Sequence, residues 1–185
     1  MFEIAELLTE YDRARAYTDR LWTDLTDDEI RWRPGANSSA VGWHLGHQAH
    51  VAHFMVRNLT AAEPSPDPSL DTLMDSACPE PARGGLPDPE RLGAFRSAVA
   101  RRVHSRMTDI DLGRVGAPAQ LRVVARHLLT MLVNHEYQHD RWIGEVRSRD
   151  LGHALPPDPQ SLQLTVIDGY TMLREDPTPQ TGDLT

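Results

Sequence analysis

The sequence predicts an all-α bundle. Three observations point there: four long stretches carry apolar residues at spacings of three and four, almost no stretch alternates like a strand, and one long Pro-rich connection joins the second stretch to the third. The first stretch, Phe2 to Leu25, places Ile4, Leu7, Leu8, Tyr11, Ala14, Tyr17, Leu21 and Trp22 along one side of a helix. Thr26-Asp27-Asp28-Glu29 has the form of a capping box for a short helical turn. Arg33-Pro34-Gly35-Ala36-Asn37 then breaks the chain, and Ser38 or Ser39 is positioned to cap a second helix ending near Asn58.

Residues 61–89 hold seven prolines and read as a long crossover, with one possible turn from Leu70 to Met74. Asp88-Pro89 is a good start for a third helix running to about Met107. After the break from Gly113 to Pro118, a fourth helix is expected from about Ala119 to Arg149, with Leu121, Val124, Leu128, Leu132, Ile143 and Val146 on one side. Pro156, Pro157 and Pro159 end the regular part. Residues 161–174 fit a last helix or a strand, and the end from Pro177 onward is expected to fray. The expected organisation is a bundle over residues 1–150 and a C-terminal extension over 151–185 that packs on it.

Composition excludes several functions. The 185 residues carry a net formal charge of -8, which argues against phosphate-backbone binding and so against a nucleic-acid partner. No apolar run is long enough to span a membrane, and the N-terminal Met1-Phe2-Glu3-Ile4-Ala5-Glu6 is unlike a signal peptide, so a cytoplasmic address is expected. All 19 basic residues are Arg, which removes Schiff-base and Walker-type lysine chemistry. The single cysteine, Cys78, permits no internal disulfide, and its place in the crossover marks it as an incidental thiol.

Histidine carries the chemical signal: seven of the nine lie within 44–53 and 127–139. His135 and His139 stand one turn apart on the fourth helix, where two imidazoles can grip one divalent ion. His44, His47, His50 and His53 recur every third residue and therefore spiral, so at most two neighbours face one point. One of them is a suitable third ligand, and three nitrogen ligands leave a position open, as catalytic sites do. His135-Glu136-x-x-His139 also has the zincin form, with Glu136 as base. A metzincin would need Gly and His where Trp142 and Glu145 stand.

Arg33-Pro34-Gly35, Ser39 and Trp43-His44-Leu45-Gly46-His47, followed nearly ninety residues later by His135-x-x-x-His139, resemble the two ordered motifs of the DinB/YfiT-like family. The strings His-Leu-Gly-His and His-Glu-Tyr-Gln-His-Asp are closer still to the DinB-like domain of ergothioneine-type sulfoxide synthases, whose chemistry also needs a large C-terminal domain and so is not expected to carry over to these 185 residues. The resemblance covers roughly residues 1–150. It implies a four-helix bundle, commonly dimeric, with a divalent transition metal (zinc, nickel or iron) on His47, His135 and His139, and His44 beside the ligands rather than among them. It also implies a small-molecule substrate and, as first choice, transfer of a low-molecular-weight thiol cosubstrate to an electrophile.

Iron-dependent oxidative chemistry, metal-dependent hydrolysis and a non-catalytic metal-stabilised dimer are the alternatives. Glu136 and Asp140, each one residue past a ligand, are candidates to orient an imidazole or move a proton, or else are solvated helix carboxylates. Tyr137 and Trp142 read as packing residues. Arg122, Arg126, Arg141, Arg147 and Arg149 read as helix-surface groups that an anionic thiol could also use.

Overall fold

The computed structural model describes residues 2–60, 62–79, 82–83 and 85–174. Four long helices build the bundle: α1 (Ile4–Trp22), α3 (Val41–Val56), α5 (Pro89–Asp111) and α6 (Pro118–Glu145), with the short α2 (Asp27–Arg31) and α4 (Pro68–Met74) between them. Helix α1 packs on α6 and α3 on α5, while α3 also faces α6 across the bundle. None of the described helices is long and apolar enough to cross a membrane.

Local chemistry explains most boundaries. Thr26 and Glu29 form the expected capping box at α2, and Asp88 accepts from the Arg91 N–H with Pro89 in the first turn of α5. Asp67 caps α4 in the same way, so the single turn expected near Leu70 is a seven-residue helix. The start of α3 differs from expectation: its cap is Ala40, without a side-chain bond, and neither Ser38 nor Ser39 serves. Helix α6 ends at Glu145 and runs into a π-helical turn, Val146–Asp150, where Arg147 pairs with Asp24 and donates to the Leu21 carbonyl.

The buried face of α6 keeps Leu132 and Ile143 of the aliphatic side the spacing suggests, with Val146 buried just beyond it and Leu121 and Leu128 packed at the edge, but not Val124. Val124 is 43% exposed, and the inward stripe runs through Ala125, Leu129, Leu132, Val133, Glu136, Tyr137, Asp140 and Ile143. Two carboxylates therefore sit in the middle of the seam.

Residues 161–174 resolve as strand rather than helix. An antiparallel hairpin, β1 (Leu164–Ile167) and β2 (Tyr170–Leu173), pairs Leu164 with Leu173 and Ile167 with Tyr170. Asp168 and Gly169 both take positive φ, 52° and 81°, as a two-residue turn of type I′ requires. The hairpin lies on α6, held where the Leu173 N–H donates to Asn134 Oδ1 at 2.8 Å and Arg141 donates to the Gly169 carbonyl. The frayed end expected from Pro177 lies outside the described residues.

Candidate metal centre

Helices α3 and α6 bring three imidazoles together from the two histidine clusters. His47, His135 and His139 each offer a nitrogen, and these atoms all lie within 4.8 Å of one another. The His135 and His139 Nε2 atoms are 3.1 Å apart. Ligand bonds of 2.0–2.1 Å in a tetrahedral shell put nitrogens about 3.3 Å apart, so the three converge at a spacing that one ion can close.

The remaining ring nitrogens show why Nε2 is the free one. His47 Nδ1–H donates to the Met74 carbonyl at 2.7 Å, which leaves its Nε2 lone pair unprotonated. His139 Nδ1 lies 2.8 Å from His44 Nδ1; in the tautomer where His139 donates and His44 accepts, Nε2 of His139 is left to bind. His135 Nδ1 is buried with no partner among the described residues, which makes His135 the least restrained of the three.

Aromatic groups close the surroundings. Trp43 stacks on His47 with centroids 4.6 Å apart, and Arg83 lies over the outer face of Trp43. Trp142 meets His139 edge-on at 4.8 Å.

All four imidazoles are held below the ordinary value of 6.5, chiefly because burial penalises the charged ring: His135 falls to about 4, His44 to about 3, and His47 and His139 are lowered too. Neutral imidazole is the form a metal needs. The same shifts set a pH dependence. In metal-free protein, His135 contributes stability above pH 6.5 that is lost as pH falls towards 4, because the unfolded chain takes up the proton first. Each such group adds up to about 1.4 kcal/mol per pH unit. His135→Gln is expected to flatten the stability profile between pH 6.5 and 4 by one proton, measured by denaturant melts in chelator. An unchanged slope would contradict the burial of that ring.

The glycine of His-Leu-Gly-His has a steric reason. A Cβ on Gly46 would collide with the buried thioether of Met74, the residue whose carbonyl holds His47. Gly46→Ala is expected to push α4 off α3, cost about 1–3 kcal/mol, and weaken metal binding about 10- to 100-fold in a chelator competition. Wild-type affinity in that variant would disconnect Met74 from the site.

Glu136 and Asp140 are not solvated helix carboxylates: each is 3% exposed. Thr18 Oγ1 donates to Asp140 Oδ1 at 2.7 Å and reaches Glu136 Oε2 at 3.3 Å; Gln48 Nε2 donates to Asp140 Oδ1 and to the Glu136 carbonyl. Arg96 donates to Gln48 Oε1 at 2.7 Å, and its guanidinium lies 3.7 Å from Glu136. Burial raises both carboxyl pKa values, Asp140 further through the neighbouring Glu136 charge. Among the described residues the carboxylates thus face Thr18, Gln48 and Arg96, and no imidazole bonds to them. Thr18, Gln48 and Arg96 belong to no chemical motif, and nothing in their local spacing signals the role.

The remaining candidates go elsewhere. His50 pairs with Asp71 at 2.9 Å, and His53 is buried without a partner among the described residues. Cys78 is a half-buried free thiol that lines a cleft together with His50, a cleft that none of the three triad histidines lines. Tyr137 is core. Arg122 donates to the Asp111 carbonyl, Arg126 pairs with Glu3, and Arg141 and Arg147 are held as described above. A cleft of about 530 Å³ opens beside His135, between α6, Met55 of α3 and the hairpin.

This combination, a helical bundle whose second and last long helices contribute one and two converging histidines, agrees with a family-level match: the model of the DinB superfamily matches residues 10–143. The chain belongs to the DinB superfamily. The match is to the superfamily as a whole and spans α1 through most of α6, so it includes all three histidines of this DinB domain but not the hairpin. No curated protein matches the chain.

Proposed function

We propose that this DinB protein is a divalent-metal-dependent enzyme that transfers a low-molecular-weight thiol to a small electrophilic substrate. The observation that carries the reading is the His44 contact: its Nδ1 is taken up by His139 Nδ1, so His44 supports a ligand and three imidazoles remain as the protein's share of the shell. Three ligands leave room for an exogenous sulfur. A divalent ion held there supplies a Lewis acid that favours the thiolate form of that sulfur.

The chain's own groups position and enclose. Met74 and His44 fix two of the three rings, and the Arg83–Trp43–His47 stack and Trp142 cover them on one side. Approach is left to the side of His135, where the cleft lies. Glu136 and Asp140 act as positioning groups: through Gln48 and Thr18 they tie α6 to α3 and α1, and so hold the three imidazoles at their spacing. In the reaction a sulfur–carbon bond forms, the thiol proton passes to solvent, and the electrophile's leaving group departs.

The test is thioether formation from a chromogenic chloronitroarene and a panel of small thiols, with the protein loaded in turn with zinc, nickel or iron. Acceleration that disappears in His139→Ala supports the proposal. Oxygen consumption by the iron-loaded protein without transfer would favour the oxidative C–S bond-forming alternative, and no turnover with any metal would leave a metal-stabilised binding module.

A further inference from the structure

We infer that the cleft beside His135 is the substrate pocket of the metal centre, and that it takes an uncharged molecule with a largely apolar body while rejecting anions. This rests on the reading of the triad as a metal centre. At about 530 Å³ the cleft falls within the range of small-molecule sites. His135 belongs both to its wall and to the triad, so an occupant lies against a ligand of the ion.

The walls define the class of occupant. Met55, Met131, Met172, Ile167 and Tyr170 supply flexible thioethers, an aliphatic branch and a ring, surfaces that favour hydrocarbon and adapt to its shape. Met131 and Ile167 are each 52% exposed, a cost in apolar surface that an occupant would relieve. Amides of Asn134 and Gln138 are the neutral polar groups, and Asn134 Oδ1 is already committed to the Leu173 N–H.

Charge decides against anions. Among the described residues no arginine lines the cleft: on α6, Arg122 and Arg126 are engaged by Asp111 and Glu3, Arg147 in the π-helical turn by Asp24, and Arg141, stacked over the Tyr170 ring, donates to the Gly169 carbonyl. Among the described residues the one acidic group in the wall is Asp168, at the hairpin turn. A carboxylate entering would lose hydration and meet a like charge, and the nearest guanidinium, Arg141, is screened by the Tyr170 ring and committed to the Gly169 carbonyl. The arginine-rich face that the sequence offers to an anionic thiol is therefore not the face that opens on the metal centre. Specificity falls instead to the hairpin, which forms the outer wall.

The experiment compares two thiols with the same apolar body, benzyl mercaptan and 4-(mercaptomethyl)benzoate, on zinc-loaded wild type and Asp168→Asn. Asparagine tolerates the left-handed turn, so the hairpin is kept. Calorimetry is expected to show the neutral thiol binding about tenfold tighter, and the gap narrowing in Asp168→Asn. In methionine-methyl NMR, the signals of Met55, Met131 and Met172 are expected to move on adding benzyl mercaptan, with or without zinc, while that of the core residue Met107 stays. Equal affinities for the two thiols, or unmoved cleft methyls, would overturn the inference. Zinc content measured on the same samples separates the two ideas: shifted cleft methyls in a protein that takes up no zinc would sink the metal reading and leave the apolar pocket standing.

Discussion

His139→Ala is expected to strip the protein of its ion. The variant loses one of three ligands and also leaves His44 Nδ1 without its 2.8 Å partner. Affinity should fall by more than the about 10- to 100-fold typical of outer partners of a metal site. His47→Ala and His135→Ala should do the same, since each supplies one of the three converging nitrogens. His44→Ala should fall between these and wild type. His53→Ala should keep the ion, because His53 is buried away from the triad. Metal per chain after desalting against a competing chelator, with circular dichroism to confirm helicity, ranks all five variants. Wild-type content in His139→Ala would refute the ligand assignment.

The second large effect concerns a residue with no evident chemistry. Arg96 is 3% exposed and donates to the Leu45 carbonyl at 3.0 Å and to Gln48 at 2.7 Å, with its guanidinium facing Glu136. The 3.7 Å separation from Glu136 is too long for a hydrogen bond but close enough for its charge to count. Arg96→Met fills a similar volume yet leaves Glu136 and Asp140 buried together without their buried cation, Arg15 alone still acting on Glu136, a loss expected to cost about 3–5 kcal/mol.

The pH dependence gives the sign. Both carboxyl groups have folded pKa values above their unfolded ones, and removing Arg96 raises them further. A group shifted that way stabilises the fold at low pH and loses that contribution as pH rises from the unfolded pKa to the folded one. The deficit of Arg96→Met should therefore grow as pH rises through and beyond the ordinary carboxylate range, and Glu136→Gln in the same chain should recover part of it. Thermal melts at pH 4.5 and pH 8 decide this. A deficit that is small and equal at both would show that Arg96 packs without compensating charge.

What could be read from the sequence was local. The Thr26–Glu29 box, the Asp88-Pro89 start and the two histidine clusters each rest on residues within a turn or two of one another, and each is found in the structure. The carboxylates inside α6 are not legible in the same way. Aliphatic spacing finds Leu132, Ile143 and Val146 but takes Val124 for Ala125, and for Glu136 and Asp140 it leaves a role beside the ligands and a solvated position equally open. They are inside beside Thr18, Gln48 and Arg96, which bond or face them although Asp140 Oδ2 keeps no partner among the described residues, and those groups lie 40 to 122 positions away. His44 shows the same limit: its role is set by His139, 95 positions on.

The hairpin is a different case. Asp168-Gly169 between apolar residues is a strong short-range turn signal. It was obscured because Leu164 and Leu173 are the hairpin's buried residues, so the strands show little alternation. The missed hairpin is also the outer wall of the cleft, which is why the pocket could not be described from sequence.

X-ray absorption at the zinc edge tests the central idea most directly: three imidazoles holding an ion with one position left for sulfur. The zinc-loaded protein should show a shell of nitrogen and oxygen only, and adding a neutral thiol should replace one light scatterer with a single sulfur at about 2.3 Å. A shell that already holds four imidazoles, or that excludes sulfur at any thiol concentration, would contradict it.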